Sequence, residues 1–256
     1  MRMSINMAWH DWPEILGTAR AAEDYGFDSI GFVDGYHSGT LEQDYLCGWS
    51  LYGALALATS RIHFVPMVLD NMNYLPGVLA KESSALSIIS GGRFELGIGA
   101  GDGFDGSRAW GVPIPNVTAR LAALRETITV LRQIWRGEQV TFDGEQLHLK
   151  DAACVPAPPV PPRVVVGVGN SKRLLRDAVS YADEINVYSD DEFIQLARQE
   201  IAASQRDVAL STFTWGWRED LAEKLPAWQA MGVERTFVMI WKPQEQLAQL
   251  AKLQKQ

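Results

Sequence analysis

Four side chains that can exchange a proton with a substrate follow predicted strands near their carboxyl ends: His10, Asp34, His37 and Asp102. Imidazole and carboxylate groups are the usual general acids and bases of enzymes. In a closed barrel of parallel strands, the carboxyl ends of all strands meet at one mouth, where active sites lie. We therefore predict that these four side chains handle protons at a common site. A turn or helix-cap role fits Asp34 and Asp102 equally well, and a histidine near a strand end is often structural.

Two glycine-rich loops are positioned to approach a ligand closely. The segment GGRFELGIGAGDG spans 91–103, and its later glycines, Gly99 and Gly101, follow the fourth predicted strand. Glycine lets a backbone come near a bound group. The segment GVGNSK ends the fifth strand and begins a helix, where backbone amides, Asn170 and Ser171 can hold a phosphate. A phosphorylated planar cofactor would use both loops, although glycine turns also connect strands and helices without any ligand.

Tryptophans are concentrated at the same predicted mouth. Flat aromatic rings bury a large area at low entropic cost and suit the wall of a pocket for a planar ligand. The same rings could instead pack against helix ends. The tryptophans near strand ends are Trp9, Trp12, Trp110, Trp215, Trp217 and Trp241. The residues predicted to line a substrate pocket are Trp9, Trp110, Trp215 and Trp241.

The elements that would position these residues alternate along the chain. Segments such as FVPMVL and RTFVMIW are apolar on both faces, which predicts parallel strands covered by helices. The predicted strands are 2–7, 29–33, 62–68, 94–99, 163–168, 184–188, 208–214 and 235–241. The predicted helices are 13–25, 44–59, 77–90, 118–135, 172–181, 191–204, 219–231 and 244–255. Eight such units predict an α/β fold, a (β/α)8 TIM barrel, as a single domain over 1–256.

Two local features refine this prediction. Asp11 is predicted to cap the first helix, which is predicted to stop at Gly26. A β-hairpin is predicted within 137–149, around an Asp-Gly turn, before the fifth barrel strand. The proline-rich segment PAPPVPP that follows is predicted to be an extended connector.

Composition and charge exclude several function classes. Hydrophobic residues make up 47% of the chain, enough for a sizeable core, and the formal net charge is −8 without a long basic run. Nucleic acid is therefore not a predicted partner. No apolar stretch approaches the roughly 20 residues of a membrane span, and no signal-peptide run is seen, so a cytoplasmic location without a membrane partner is predicted. The scattered histidines predict no metal site, and Cys47 and Cys154 are predicted to be packing residues.

One long segment and several shorter ones resemble a known family. RIHFVPMVLDN and YLPGVLAKESSALSIISGGRFELGIGAG lie within 61–101, and Arg120 and Glu126 precede VLRQIWRG. GVP, the FDG hairpin and PPRVVVGVGNSKRLLRDAVSYADEINVY complete the match. Together they resemble the bacterial luciferase-like oxidoreductases, a barrel family whose members use FMN or the deazaflavin coenzyme F420. The GxGxG that follows the fourth strand favours the deazaflavin branch.

The resemblance implies roles for individual positions. Family members hold a non-proline cis peptide behind the central ring of the cofactor and bind its phosphate with a loop after the fifth strand. The matching positions are Pro66, Met67 and Val68 for the cis peptide, and Gly167, Gly169, Asn170 and Ser171 for the phosphate loop. Acidic residues on the substrate side match Asp34 and Asp102. A histidine that commonly follows the first of these is Gly35 here, so the resemblance does not identify the proton donor.

These features predict an oxidoreductase that moves a hydride between coenzyme F420 and a small organic substrate, with a homodimer as the expected assembly. In such an enzyme the cofactor supplies the hydride chemistry, and the protein supplies orientation and a proton. The first alternative is an FMN-dependent monooxygenase that uses reduced flavin and oxygen. Further alternatives are a barrel that binds a flavin without turnover and an unrelated barrel that acts on sugar phosphates.

Overall fold

The structure, a computed structural model, describes residues 1–8, 11–36, 46 and 48–254. Its strands are β1 (Arg2–Met7), β2 (Ser29–Phe32), β3 (His63–Phe64), β4 (Leu69–Asp70), β5 (Leu96–Gly99), β6 (Val140–Asp143), β7 (His148–Ala152), β8 (Val164–Gly169), β9 (Glu184–Tyr188), β10 (Ala209–Thr214) and β11 (Arg235–Ile240). Its helices are α1 (Trp12–Tyr25), α2 (Trp49–Ala58), α3 (Pro76–Ser90), α4 (Asp105–Ala109), α5 (Val117–Trp135), α6 (Lys172–Ala178), α7 (Asp191–Ser204), α8 (Leu221–Ala230) and α9 (Pro243–Leu253).

The strands of the main sheet form a closed ring. Their order is β3-β2-β1-β11-β10-β9-β8-β5-β4, and the pairings within this sheet are parallel. β3 and β4 are two parts of one barrel strand, because Phe64 in β3 bridges to Phe94 and Leu69 in β4 pairs with Ile98 in β5. This strand therefore joins the two ends of the sheet, and the predicted (β/α)8 barrel is confirmed.

The barrel has apolar side chains on both sides of its wall. Ile5 and Met7 of β1 belong to the large core between the barrel and its helices. Met67, Phe213 and Phe237 belong to a smaller cluster in the interior of the barrel. A strand that is buried on both sides reads as an uninterrupted apolar run, which explains why the strands could be recognised from sequence.

The first helix begins and ends as predicted. The Asp11 side chain accepts a hydrogen bond from the Glu14 backbone amide at 2.9 Å. Gly26 ends the helix in a left-handed conformation with a φ of 81°, which glycine adopts without a steric penalty. Across the described part of the chain, no helix combines the length and the apolar character needed to cross a bilayer.

The predicted start of the second helix is wrong. The prediction began at residue 44, whereas α2 begins at Trp49. Leu46 and Gly48 are not helical, and Gly48 has a φ of 102°, which is incompatible with an α-helix. Residues 44, 45 and 47 lie outside the described residues, so the packing role of Cys47 stays a prediction.

Other boundaries differ because tertiary contacts interrupt a regular pattern. The third strand was predicted without a break over 62–68, but the structure has two shorter strands, His63–Phe64 and Leu69–Asp70, separated by residues 65–68. The short helix α4 was not predicted. Cys154 is buried, with its Sγ 3.7 Å from the Ala80 carbonyl oxygen and 3.7 Å from Ser84 Oγ, as expected for a packing residue.

The hairpin before the fifth barrel strand is confirmed, but its turn is longer than predicted. β6 and β7 pair antiparallel and are joined by residues 144–147. The buried carboxylate of Glu126 in α5 holds this turn. It accepts hydrogen bonds from three consecutive backbone amides, those of Glu145, Gln146 and Leu147, at 2.8, 3.0 and 2.9 Å.

The end of the barrel where the strands begin contains an ion network around Arg235. The fully buried guanidinium donates to Glu184 at 2.8 and 3.0 Å, to Glu95 at 2.7 and 3.0 Å and to Asp28 at 3.1 Å. Burial lowers the pKa of Arg235, but the charges of Glu184 and Glu95 outweigh it and raise that pKa. Burial raises the pKa of Glu95, yet hydrogen bonding to His63 and the charge of Arg235 bring it down to about 2. The network therefore ties β11, β9 and the start of β5 together.

Candidate functional site

A cavity of about 570 Å³ opens at the carboxyl ends of the barrel strands. Binding sites for cofactors and small molecules typically have volumes of about 300–1,000 Å³. The walls come from the segments after β2, β5 and β8, from β4, from the start of α5 and from the ends of β9 and β10. The lining residues that the sequence analysis had named are Asp34, Met67, Val68, Gly99, Gly101, Asp102, Gly167, Gly169, Asn170, Ser171 and Trp215.

A non-proline cis peptide joins Met67 to Val68 in the cavity wall. This bond lies within the predicted segment, so the predicted cis peptide is confirmed. The Val68 side chain is held between two glycines, because a Cβ on Gly99 would lie 2.9 Å from Val68 Cγ2 and a Cβ on Gly167 would lie 2.7 Å from Val68 Cγ1. The two glycines thus make room for Val68 as well as lining the cavity. Pro66 is buried and is not among the lining residues.

Three carboxylates line one cavity. Asp34, after β2, accepts a hydrogen bond from the Tyr74 hydroxyl at 2.9 Å and a longer one from the Asp70 amide at 3.4 Å. Asp70, the last residue of β4, accepts from the Met72 amide at 2.8 Å. Asp102 is exposed, and its carboxylate accepts from the next backbone amide at 2.8 Å. Asp34 and Asp102 therefore make local structural contacts while also lining the cavity.

Asp70 differs from an ordinary surface carboxylate in its protonation. The residue is 8% exposed, and burial raises its pKa to about 6 against the opposing hydrogen bond from the Met72 amide. The negative charges of Asp34 and Asp102 raise this pKa further, and the positive charge of Arg120 lowers it. A carboxyl group with a pKa near 6 can donate or accept a proton close to neutral pH.

Arg120 of α5 is the one cationic side chain among the described lining residues. Its guanidinium carbon lies 4.6 Å from the centroid of the Phe104 ring, and one terminal nitrogen donates to the Pro115 carbonyl at 3.0 Å. Its Nε is buried and has no hydrogen-bond partner among the described residues. Leaving a buried donor unsatisfied is unfavourable, which makes this atom suited to bind an acceptor on a ligand.

Both glycine-rich loops line the cavity. Gly101 has a φ of 89°, and a Cβ at this position would lie 2.5 Å from Asp70 Oδ1, so only glycine fits beside that carboxylate. Gly169 also has a positive φ, of 56°. Asn170 and Ser171 are exposed at the mouth, where Ser171 caps the start of α6.

The predicted tryptophan wall is only partly assembled in the described cavity. Trp215 lines it, with its ring centroid 4.9 Å from that of Phe213. Trp110 is 73% exposed, with its ring centroid 5.9 Å from that of Tyr36, and is not a lining residue. Trp241 is 38% exposed and also lies outside the lining.

Three of the predicted site residues are not among the residues that the structure describes. Trp9, His10 and His37 lie outside the described residues. Their predicted roles in substrate binding and proton transfer stay predictions.

Sequence reasoning did not assign a role to Asp70 or to Tyr188, although both line the cavity. The only sequence signal for each was its position at the carboxyl end of a strand. An aspartate there is also a common turn residue, and a tyrosine there is also a common strand residue. The three-dimensional arrangement, rather than a motif, distinguishes these two residues.

The residues present fit a flat, phosphorylated cofactor. Val68 lies between Gly99 and Gly167, and because neither glycine has a side chain, this part of the wall is flat. Asn170 and Ser171 offer donors for a phosphate, and the Nε of Arg120 offers a buried donor without a partner among the described residues. In the described ranges, no three His, Cys, Asp or Glu side chains are grouped so as to hold a metal ion.

Known proteins with similar sequences include several dehydrogenases. The F420-dependent glucose-6-phosphate dehydrogenase of Beutenbergia cavernae is 34% identical over 173 residues, which are 65% of this chain and 50% of the relative. The enzyme of the same name from Kineococcus radiotolerans is 33% identical over 158 residues, 58% of this chain and 44% of the relative. The chain thus spans about half the length of the curated relatives it matches.

Comparison of folds gives a consistent result. The coenzyme F420-dependent tetrahydromethanopterin reductase from Methanopyrus kandleri has a TM-score of 0.82 and 16% identity, covering 98% of this chain and 97% of that structure. At this identity the likeness establishes the fold alone, and it supports the barrel. The model of the luciferase-like monooxygenase family matches residues 3–216, a range that contains both glycine-rich loops and the cis peptide. The resemblance read from the sequence is therefore confirmed: the chain belongs to the luciferase-like monooxygenase family.

Proposed function

We propose that this chain is an oxidoreductase that transfers a hydride between coenzyme F420 and a small organic substrate. The observation that carries the proposal is the cavity in which Val68, the Asn170–Ser171 loop and the titrating carboxylate of Asp70 meet. Coenzyme F420 is favoured over FMN because the sequence relatives are named F420-dependent enzymes. The activity of the whole protein stays a proposal, since the match spans about half of each relative.

Different lining residues would have different roles around the bound cofactor. When bound, coenzyme F420 supplies a deazaflavin ring that accepts or donates the hydride. Val68 would support the ring, and Asn170 with Ser171 would hold the phosphate. Asp70 would exchange a proton with the oxygen of the substrate, since its pKa of about 6 suits both directions. The candidates of the sequence analysis for the same proton remain His10, Asp34, His37 and Asp102.

The charges around the cavity favour a substrate without a phosphate. The described lining contains three carboxylates, those of Asp34, Asp70 and Asp102, against the single guanidinium of Arg120. A phosphorylated substrate would therefore meet repulsion close to the proton-exchanging group. We propose that the substrate is an uncharged alcohol or carbonyl compound.

Glucose and glucose 6-phosphate give a matched test of this substrate class. We expect kcat/KM to be at least about tenfold higher for the uncharged member of such pairs, which corresponds to ~1.4 kcal/mol of repulsion. The measurement is the change in deazaflavin absorbance under steady-state conditions, with short alcohols as additional substrates. Faster turnover of the phosphorylated member would overturn the proposal of an uncharged substrate.

Cofactor binding tests the proposed function directly. Titration with coenzyme F420 and, in parallel, with FMN should quench tryptophan fluorescence, because Trp215 lines the cavity. We expect saturable binding of F420 and weaker binding of FMN. Preference for FMN would redirect the function to oxygen-dependent monooxygenase chemistry, and binding of neither cofactor would remove the proposal.

A variant of the cavity wall sharpens that titration. In Gly167→Ala, the new Cβ would lie 2.7 Å from Val68 Cγ1 and displace it. We expect F420 binding to weaken about tenfold, because overpacking of this kind costs about 1–3 kcal/mol. The matched control is Gly17→Ala in α1, where a Cβ meets nothing within 4 Å. Equal affinity of the two variants for F420 would contradict the proposed location of the ring.

We further propose that the protein is a homodimer joined through α2 and α3. Leu57 in α2 is 81% exposed, and Ile89 in the neighbouring α3 is 53% exposed. The sequence of α2, WSLYGALALA, is apolar around its whole circumference, which is typical of a helix buried on more than one side. A two-fold axis beside these helices would bury the same apolar patch on both subunits.

Sedimentation analysis tests this assembly. The wild type is expected to sediment as a dimer, and Ile89→Glu is expected to shift the population to monomer, because the dimer would bury an unpaired charge. The control is Tyr25→Glu, which introduces the same charge at the end of α1, where Tyr25 is 45% exposed. A monomeric wild type, or dissociation in both variants alike, would contradict the proposed interface.

Two further expectations stay predictions. The cytoplasmic location is testable by cell fractionation. The single domain over 1–256 is testable by thermal unfolding followed with two spectroscopic probes, which should report one coincident transition.

A further inference from the structure

A second depression lies beside the candidate site, between α5 and α6. It has a volume of about 410 Å³ and is lined by Thr118, Leu121, Arg125, Arg173, Arg176 and Asp177, among others. Leu121 lines both this depression and the main cavity, so the two spaces share a wall. We call this depression the arginine groove.

Positive charge predominates in the arginine groove. Its lining has three arginines against two carboxylates, those of Asp177 and Glu145. Arg125 is paired with Asp177 at 2.7 Å, and Arg176 is paired with Glu200, outside the lining, at 2.9 Å. Arg173 instead donates to the Thr118 hydroxyl at 2.9 Å, and no carboxylate among the described residues is within ion-pairing distance of it. The exposed Arg173 guanidinium is therefore the charge in the groove best able to bind an added anion.

The arginine groove adjoins the Asn170–Ser171 loop of the main cavity. Ser171 and Leu174 line the main cavity, and Arg173 lies between them in the sequence but lines the groove. A helical turn rises only about 5.4 Å, so Arg176 is within about one turn of Arg173. A ligand whose phosphate is held at Asn170 and Ser171 would meet these arginines if it continued beyond the phosphate.

We infer that the arginine groove binds the carboxylate-bearing tail of the cofactor. In coenzyme F420 the phosphate continues into a chain of glutamate units, whereas FMN ends at its phosphate. The groove thus adds a feature that distinguishes the two cofactors, because only the tailed one can reach it. The inference rests on the proposed function, since it assumes that a deazaflavin occupies the main cavity.

The test compares deazaflavins that differ only in the tail. The protein is titrated with coenzyme F420 and with its tail-free form, which keeps the deazaflavin ring and the phosphate but has no glutamate units, and tryptophan fluorescence is followed at low and at high salt. Three forms are used: the wild type, Arg173→Gln, and the matched charge-removal control Arg20→Gln on the exposed side of α1. Binding is the readout, so the test does not depend on turnover.

Arg173→Gln is expected to weaken binding of the tailed coenzyme about threefold to fivefold and to leave binding of the tail-free form unchanged, as for one solvent-exposed ion pair. The preference of the wild type for the tailed form should shrink at high salt, because screening weakens exposed pairs. Arg20→Gln should behave like the wild type.

Three other results would have distinct meanings. If the tailed and tail-free compounds bind equally well to the wild type, or if Arg173→Gln weakens both to the same extent, the inference about the groove is wrong while the proposed cofactor stands. If Arg20→Gln matches Arg173→Gln, the effect comes from net charge, and the groove is not the tail site. If no deazaflavin binds, the proposed function fails, and the inference fails with it.

Discussion

The Asp70→Asn variant should turn over substrate about 100- to 1,000-fold more slowly than the wild type, while binding coenzyme F420 with nearly unchanged affinity. Asparagine keeps the shape of the side chain and can still accept the hydrogen bond from the Met72 amide, which spans 2.8 Å in the native structure. It cannot exchange a proton near neutral pH. The loss should therefore appear in kcat, which steady-state kinetics would separate from KM.

The pH dependence of kcat distinguishes proton exchange from a general disturbance of the site. With a pKa of about 6, Asp70 must be ionised to accept a proton during substrate oxidation, so this rate should rise as pH increases through about 6. In the reduction direction it must be protonated, and the rate should fall over the same range. The rise of the oxidation rate and the fall of the reduction rate near pH 6 should both be absent in Asp70→Asn. Both should be retained in Asp105→Asn, whose carboxylate is 90% exposed on α4. A change of kcat near pH 6 that persists in Asp70→Asn would contradict the proposal that Asp70 exchanges the proton.

The Asp70 carboxyl should also make the free energy of unfolding depend on pH, because its ionised form destabilises the folded state. Its pKa is raised from 3.8 to about 6 in the folded state, so the native protein binds this proton more tightly than the unfolded chain does. The stabilising contribution is complete below about pH 4 and is lost as pH rises through about 6. Asp70→Asn is therefore expected to be more stable than the wild type at pH 8, by on the order of 3 kcal/mol, and equally stable near pH 4. Urea unfolding at the two pH values measures this difference.

The second large effect is expected at the other end of the barrel. Arg235→Met should lower the free energy of unfolding by about 3–5 kcal/mol at pH 7, because it removes one partner from a buried ion network. Glu184 and Glu95 would then be buried without the guanidinium that donates hydrogen bonds to them at 2.7 to 3.0 Å. Coenzyme binding should change little in the variant that remains folded, since the network is remote from the cavity lining.

The control for this prediction is Arg2→Met. Arg2 contacts the same network, with Nη1 3.4 Å from Asp28 Oδ1, but its side chain is 41% exposed. Exposed pairs contribute about 0–1 kcal/mol, so this variant should lose less than about 1 kcal/mol. Mutating Glu95 and Glu184 to Gln in the Arg235→Met background should restore part of the stability, because the uncompensated charges are removed. Equal losses in Arg235→Met and Arg2→Met would mean that burial of the network has no special energetic role.

The elements of the barrel could be predicted because each depends on local pattern. Helix α1 needs only its apolar stripe, the Asp11 cap and Gly26 at its end. The strands needed only to be apolar on two sides. The longer hairpin turn could not be predicted in this way, because the carboxylate that holds it, Glu126, lies in α5, about twenty residues away along the chain.

The candidate site was harder to predict for a related reason. From their positions after strands, Gly99 and Gly167 are expected to contact a ligand, but in the structure both also lie against the Val68 side chain. Asp70 has no motif around it, and its unusual protonation arises from burial and from charges on other loops. Such properties depend on which residues the fold brings together, and a single sequence does not encode them as a local signal.

The ion network and the main cavity occupy opposite ends of the same barrel, and this separation affects how the protein can evolve. Substitutions at the mouth, around Trp215 and the loop after β5, can alter substrate preference without touching the contacts of Arg235. Stability and specificity are then nearly independent traits. A deep mutational scan should find tolerance increasing along the barrel axis from Arg235 towards the mouth, and laboratory evolution of new substrate ranges should proceed there without a matching loss of thermal robustness.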